Sequence, residues 1–271
     1  MAQFSYDEIF ERNLGVFTAE EQERIRSLTV AIAGAGGAGG AVAYALARLG
    51  VGAIRIADPE EFEPSNINRQ FGSFADTVGR NKAAVVADDL SRINPGIELR
   101  VLTEGITEEN VAGFVEGADL VVDEVDFYAT DVEALLHRHA TTAAVPVFLG
   151  LIAGSIASFM WFEPGGTTFA EIFCDEDGVP LMERIMSGLF PVMPTELVGN
   201  EELLRAVMAG EHVAIPSWSH AALATDLFLL EDIVRVIVKG DPAIGPAPDM
   251  YVVDLHGRRF IKRIDGEIVG A

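Results

Sequence analysis

The tract Thr29-Val-Ala-Ile-Ala-Gly-Ala-Gly-Gly-Ala-Gly-Gly40 constrains this chain more than any other. A β-type run, Val30 to Ala33, enters the loop Gly34-x-Gly36-Gly37-x-Gly39, and a small-residue helix follows from Gly39 to Leu49. Glycines adopt positive φ at little cost and let backbone N–H groups come close to a phosphate. The helix start adds unpaired N–H groups and about half a positive charge. Strand, glycine turn and helix in that order predict the nucleotide-binding corner of a doubly wound α/β sheet.

The pattern downstream predicts strands at Ala53–Ala57, Ile97–Leu102, Leu120–Asp123 and Val147–Leu151, alternating with helices at Arg80–Ile93, Glu108–Phe114 and Ala129–Ala143. Such alternation gives a mainly parallel sheet. Ser155–Phe162 reads as an antiparallel strand, 165–212 as a mixed segment, Trp218–Val238 as a long helix, and Met250–Asp254 with Arg259–Ile264 as a hairpin around His256-Gly257. The fold class expected is therefore α/β, Rossmann-like and doubly wound, with an antiparallel C-terminal extension. Residues 1–28 read as a helical arm, with Thr18 and Glu21 forming a capping box. Residues 29–164 read as the nucleotide-binding domain, and 165–271 as an insert, helix and strands completing the same domain.

Charge narrows the partners. A net charge of −23 opposes nucleic acid and anionic membranes. The apolar run Val145–Phe162 is broken by Pro146, Gly150 and Gly154 and reads as two buried strands rather than a membrane span. One cysteine, Cys174, excludes an internal disulfide and a cysteine-based zinc site, and fits a cytoplasmic protein with no secretory signal.

The candidate site residues follow from position. Asp58 ends the second strand, 22 positions after Gly36, where a carboxylate holds a ribose hydroxyl. The loop Pro59–Val78 carries Asn66-Ile-Asn-Arg69-Gln70, and Lys82 opens the next helix. A triphosphate that is cleaved needs such cations for charge developing on the departing diphosphate, whereas a dinucleotide needs fewer. Asp123-Glu-Val-Asp126 ends the fourth strand; Mg²⁺ takes one or two carboxylates plus phosphate oxygens, and Asp126 is the candidate ligand, with Asp123 and Glu124 behind it. The histidines at 137, 139, 212, 220 and 256 show no metal grouping and read as surface or core residues, and Met182, Met186 and Met193 as gap fillers.

Taken together, the glycine turn, Asp58, Asn66-x-x-Arg69-Gln70, Lys82 and Asp-x-x-Asp126 resemble the ThiF/MoeB/HesA superfamily of ubiquitin-activating-enzyme-like adenylyltransferases. The resemblance covers roughly residues 4 to 165. It implies that Mg·ATP activates a carboxylate, the C-terminus of a small carrier protein or a peptide, as an acyl-adenylate. By position Asp58 would hold the ribose, Asn66, Arg69, Gln70 and Lys82 the phosphates, and Asp126 the magnesium. Phe10-Glu-Arg12-Asn13 resembles the element whose arginine reaches the partner subunit's ATP, which implies a homodimer with Arg12 acting in trans. The chain departs from the family at Phe127, where an Asn is usual, in lacking the zinc cysteines, and at Cys174, whose neighbours Asp175-Glu-Asp177 disfavour a thiolate. A version without zinc and without a catalytic cysteine follows. The alternatives are an NAD- or FAD-linked oxidoreductase and a catalytically degenerate relative that binds a peptide or partner protein.

Overall fold

Residue alternation on the first strand decides the layering. In β1 (Thr29–Ala33), Val30 and Ile32 enter one apolar core while Ala31 and Ala33 enter another on the opposite face. A strand with apolar residues on both sides must be covered twice, so helices lie above and below it. The computed structural model describes residues 4–190 and 199–269; Met193 lies outside them.

The parallel half contains β1, β2 (Ala53–Ala57), β3 (Glu98–Leu102), β4 (Leu120–Asp123) and β5 (Val147–Ala153), ordered β3-β2-β1-β4-β5. The chain steps outward from β1 to β3 and then returns to the other side of β1, so the order reverses between β1 and β4. A crevice opens at that switch point, beyond the strand C-termini. Four antiparallel strands extend the same sheet: β6 (Ile156–Phe162), β7 (Met250–Asp254), β8 (Arg259–Ile264) and β9 (Glu267–Val269). The architecture is the α/β, mainly parallel, doubly wound fold with an antiparallel extension. The final strand β9 is an addition to the hairpin expected from sequence.

The N-terminal arm forms α1 (Tyr6–Phe10), a 3₁₀ turn at Glu11–Asn13 and α2 (Ala19–Ser27), whose Thr18–Glu21 capping box is present. The glycine-loop helix α3 (Gly37–Leu49) starts two residues earlier than expected and ends at Gly50, φ +95°. The next helix, α4 (Lys82–Ile93), starts two residues later than expected because Asn81 caps it, its side chain accepting from the Ala84 N–H at 3.0 Å. A single turn, α5 (Val111–Val115), replaces the helix expected at 108–114. Next come α6 (Thr130–Ala143), α7 (Phe169–Phe173), α8 (Met182–Leu189), α9 (Glu201–Met208) and α10 (Ser219–Ile233), which runs on into a π-turn through Lys239. Helices α3, α4 and α10 cover one face and α5 to α9 the other. The run 145–162 is the β5–β6 pair, turning at Gly154 and Ser155, with Gly150 inside β5. No helix among the described residues is long and apolar enough to cross a membrane.

Gly39 is required by this packing. A side chain there would strike the Gly34 carbonyl, because α3 leaves the loop in contact with its own start. Gly39→Ala is expected to cost about 1–3 kcal/mol of stability, the usual penalty of overpacking. Equilibrium urea denaturation of the variant beside the parent measures it.

Candidate active site

The loop after β1 is held from two sides. The Gly34 N–H donates to the Ala57 carbonyl at 2.8 Å, and its φ of +97° presses it against the Glu124 backbone, where any side chain would collide. Asp58, buried at the end of β2, accepts from the Ala35 N–H through Oδ2 at 2.7 Å and from the Glu60 N–H through Oδ1 at 2.8 Å. Burial pushes its carboxyl up, while these bonds and the Lys82 charge pull it partly back. Asp58 thus fastens the glycine loop to β2. Gly34, Gly36 and Gly37 line the cavity above, but Gly39 does not; its smallness serves the packing of α3.

The cationic side depends on Asn81. While its carbonyl oxygen caps α4, its amide donates to the Asp58 carbonyl at 2.8 Å. That tie sets Lys82, the first residue of α4, beside Asp58. Lys82 is buried, and its Nζ lies 2.5 Å from Glu60 Oε2, so a carboxylate already partners the lysine. Arg69 differs: its guanidinium donates only to the Ser65 carbonyl and Asn68 Oδ1 and forms no ion pair with an acid among the described residues. Half-burial lowers its pKa. Asn66 is buried, its Oδ1 accepting from the Glu63 N–H, and its amide nitrogen finds no partner among the described residues. The Gln70 amide sits over Gly36, and its Oε1 is buried without a partner.

The acid side separates the three carboxylates at the end of β4. Asp126 is exposed, lines the crevice and accepts from the Tyr128 N–H at 2.9 Å through Oδ1 alone. Asp123 does not reach the crevice. It is fully buried, 2.9 Å from His137 Nε2 on α6, and its other oxygen accepts from the Val125 N–H. As a reserve metal ligand Asp123 is therefore wrong: its charge is turned into the core beneath the site. Glu124 packs against Gly150 and Thr225, with Oε1 unpartnered. Burial above all, then Asp123 and Asp226, pushes its carboxyl well above the usual range. Buried Glu133 on α6 is raised in the same way.

Two cavities meet over these groups. One, about 420 Å³, lies over the glycine loop and reaches Asp58, Glu104 and Val125. The other, about 760 Å³, continues past Asn66 and Arg69 toward Ile152 and Ser217. Glu60, Gln70, Lys82, Asp126, Tyr128 and His212 line both. His212 belongs to an extended strap, residues 211–217, which crosses the larger cavity. The Tyr128 hydroxyl donates to the Val213 carbonyl at 3.0 Å, the Gly154 N–H to Pro216 at 2.8 Å and the Asn68 amide to Ser217 at 3.0 Å. Tyr128, Glu60 and His212 escaped the sequence reading. Tyr128 stands two places after Asp126 and Glu60 two after Asp58, which is a usable signal; His212 has none. Arg12 is exposed and lines neither cavity of its own chain, and Cys174 is buried on the far face among α7 and α8.

Comparison with known proteins gives the following. The ThiF family matches residues 10–203. The chain is 30% identical to an uncharacterized protein of Mycobacterium tuberculosis over 86% of its own length and 33% of that protein's. It is 37% identical to the tRNA threonylcarbamoyladenosine dehydratase of Bacillus subtilis over 43% of its length and 46% of the relative's. To the molybdopterin-synthase adenylyltransferase of Salmonella typhimurium it is 30% identical over 80% and 88%. It thus spans a third to a half of the first two relatives. Among solved structures, Escherichia coli MccB with AMPCPP and MccA has the same fold: TM-score 0.70, 18% identity, 95% of this chain and 72% of that one.

A half-buried acid carries a pH signature. Asp226 on α10, with Oδ1 unpartnered, is pushed up by burial to about 6. Between the ordinary carboxylate range and about 6 the folded chain holds a proton the unfolded chain has released, so this group favours folding in acid and loses that contribution as pH rises. Asp226→Asn removes the charge. The variant is expected to melt above the parent at about pH 7.5, with the difference shrinking toward about pH 5, as scanning calorimetry would record.

Proposed function

The chain is a member of the ThiF family, and on that premise we propose that it is an Mg·ATP-dependent adenylyltransferase that activates the C-terminal carboxylate of a small carrier protein or peptide. The observation that carries this reading is the Arg69 guanidinium, without an acid partner among the described residues, in a crevice of a chain with net charge −23. A half-buried cation with no acid partner is costly unless an anion completes it.

The two cavities divide the work. The cradle of Gly34, Gly36 and Gly37 takes the nucleotide with its backbone N–H groups, and Asp58 addresses the ribose with lone pairs not used on Ala35 and Glu60. The phosphates then face Asn66, Arg69, Gln70 and Lys82. The Asn66 amide nitrogen, without a partner among the described residues, is a donor that a phosphate oxygen would complete. Asp126, with one carboxylate oxygen uncommitted, fits the single-carboxylate habit of Mg²⁺, which would neutralise phosphate charge. The larger cavity brings the substrate carboxylate toward the α-phosphate. Its oxygen attacks, pyrophosphate leaves, and Arg69 and Lys82 stabilise the growing charge. Lys82 must exchange Glu60 for phosphate as it does so.

Relatives with a tRNA-modifying name raise RNA as a substrate. The net charge disfavours it, since each phosphate contact would form against a repulsive field. A carrier or peptide tail presents one carboxylate and little other charge, and suits the larger cavity. Arg12 completes a second copy's site, the arm 1–28 forms that contact, and the working unit is a homodimer. No zinc and no enzyme thioester take part; Cys174 is too deep to meet an acyl-adenylate.

Calorimetric titration with Mg·ATP and separately with NAD⁺ tests the reading. ATP alone should bind, and Arg69→Ala should weaken it roughly 10- to 100-fold, the worth of one charge-assisted hydrogen bond. Binding of NAD⁺ alone would replace the adenylyltransferase with a dinucleotide enzyme. Asp126→Asn should raise the Mg²⁺ concentration needed for half-maximal ATP binding; an unchanged magnesium titration would remove Asp126 as ligand.

A further inference from the structure

The mixed anhydride of an acyl-adenylate must be consumed by a nucleophile, and that step needs a group to take the nucleophile's proton. An amine attacks the carbonyl carbon, a C–N bond forms, and the C–O bond to phosphate breaks with its electron pair leaving on AMP. One proton remains on nitrogen and has to be removed.

Few groups stand where that proton is released. The reacting carbonyl lies where nucleotide and acyl cavities join, and six side chains line both. Once pyrophosphate has left, Lys82 pairs again with Glu60, Asp126 is the magnesium ligand of the reading above, and Gln70 and Tyr128 are poor bases at neutral pH. The sixth is His212. Its ring packs against Tyr128 with centroids 4.8 Å apart and planes tilted by 54°, and it makes no hydrogen bond or ion pair among the described residues. Imidazole is the side-chain type that trades protons near neutrality.

Its placement is built. Tyr128 is fixed by its own N–H on Asp126, and its hydroxyl holds the strap at Val213, the residue after His212. Gly154 and Asn68 hold the other end of the strap. The imidazole is thereby suspended over the junction, on the side open to solvent from which an acceptor arrives. By contrast His137, the buried histidine, is spent on Asp123.

We propose that His212 is the general base of the acyl-transfer step, taking the proton of an amine that attacks the acyl-adenylate. The assignment rests on the adenylyltransferase reading above. The imidazole accepts the proton as the C–N bond forms and returns it to water after AMP departs. The enzyme therefore joins a carboxylate to an external amine without an acyl-enzyme.

The test bypasses adenylation. Synthetic acetyl-adenylate is mixed with the full chain and glycinamide, and AMP release is followed; AMP binding is measured by calorimetry in parallel. His212→Phe keeps a ring on Tyr128 but has no basic nitrogen. It is expected to bind AMP as the parent does and to release AMP about 100- to 10,000-fold more slowly. Hydroxylamine, which needs little base assistance, should narrow that gap, and free imidazole should restore part of the rate in His212→Ala. Equal rates for parent and His212→Phe would overturn the proposal, as would a parent that binds AMP yet releases it no faster than buffer. A parent that does not bind AMP would instead bring down the adenylyltransferase reading, and the base with it.

Discussion

The hydrogen bond from the Ala35 N–H to Asp58 Oδ2 is the tie on which the site depends. It fixes the glycine loop to the end of β2, while Gly34 presses on the Glu124 backbone at the end of β4. Three strand ends are thereby brought to one point. The same carboxylate holds Glu60, and the Asp58 carbonyl receives the Asn81 amide that sets the start of α4. Removing Asp58 would loosen the cradle, the polar loop and the lysine together. A residue expected to hold a ribose is first of all the anchor of the backbone around it.

The electrostatics are arranged around an unfavourable total charge. Lys82 is neutralised locally by Glu60, Arg69 is left to the open crevice, and Asp123 is satisfied by His137 below it. Of the three β4-end acids Asp123 is turned inward, while half-buried Glu124 and exposed Asp126 line the cavity, Asp126 with one carboxylate oxygen uncommitted. Glu133 is buried and Glu124 half-buried, and burial pushes both carboxyls well above the usual range, toward the neutral form, which reduces the negative potential beneath the crevice. Stability at neutral pH is given up where a half-buried acid does charge, as at Asp226, because the ionised carboxylate is poorly solvated there.

The two joined cavities give the chain its division of labour. The glycine loop and Asp58 belong to the smaller, at the switch point of the doubly wound frame; the strap 211–217 lines the larger and comes from the segment between the parallel sheet and α10. Tyr128 links them, one end on Asp126 and the other on Val213.

The parallel frame was legible in the sequence because the period-two and helical patterns are local, and the glycine turn announces its own backbone conformation. The positions of Gly34, Gly36, Asp58, Arg69, Lys82 and Asp126 around one crevice were readable for the same reason: each sits at a strand end, in a long polar loop or at a helix start. Gly39 was legible as a glycine but not in its role, because a collision with the Gly34 carbonyl exists only once α3 has folded back on the loop. Likewise Asp123 and Asp126 look equivalent in sequence, but Asp123 is the last residue of β4, buried against His137 on α6, while Asp126 lies in the loop beyond the strand, exposed at the rim. The Glu60–Lys82 pair, the orphaned Gln70 oxygen and His212 over the junction were decided by tertiary structure alone. They join residues from about 20 to 150 positions apart, and no local pattern encodes a contact whose partners are brought together only by the winding of the sheet.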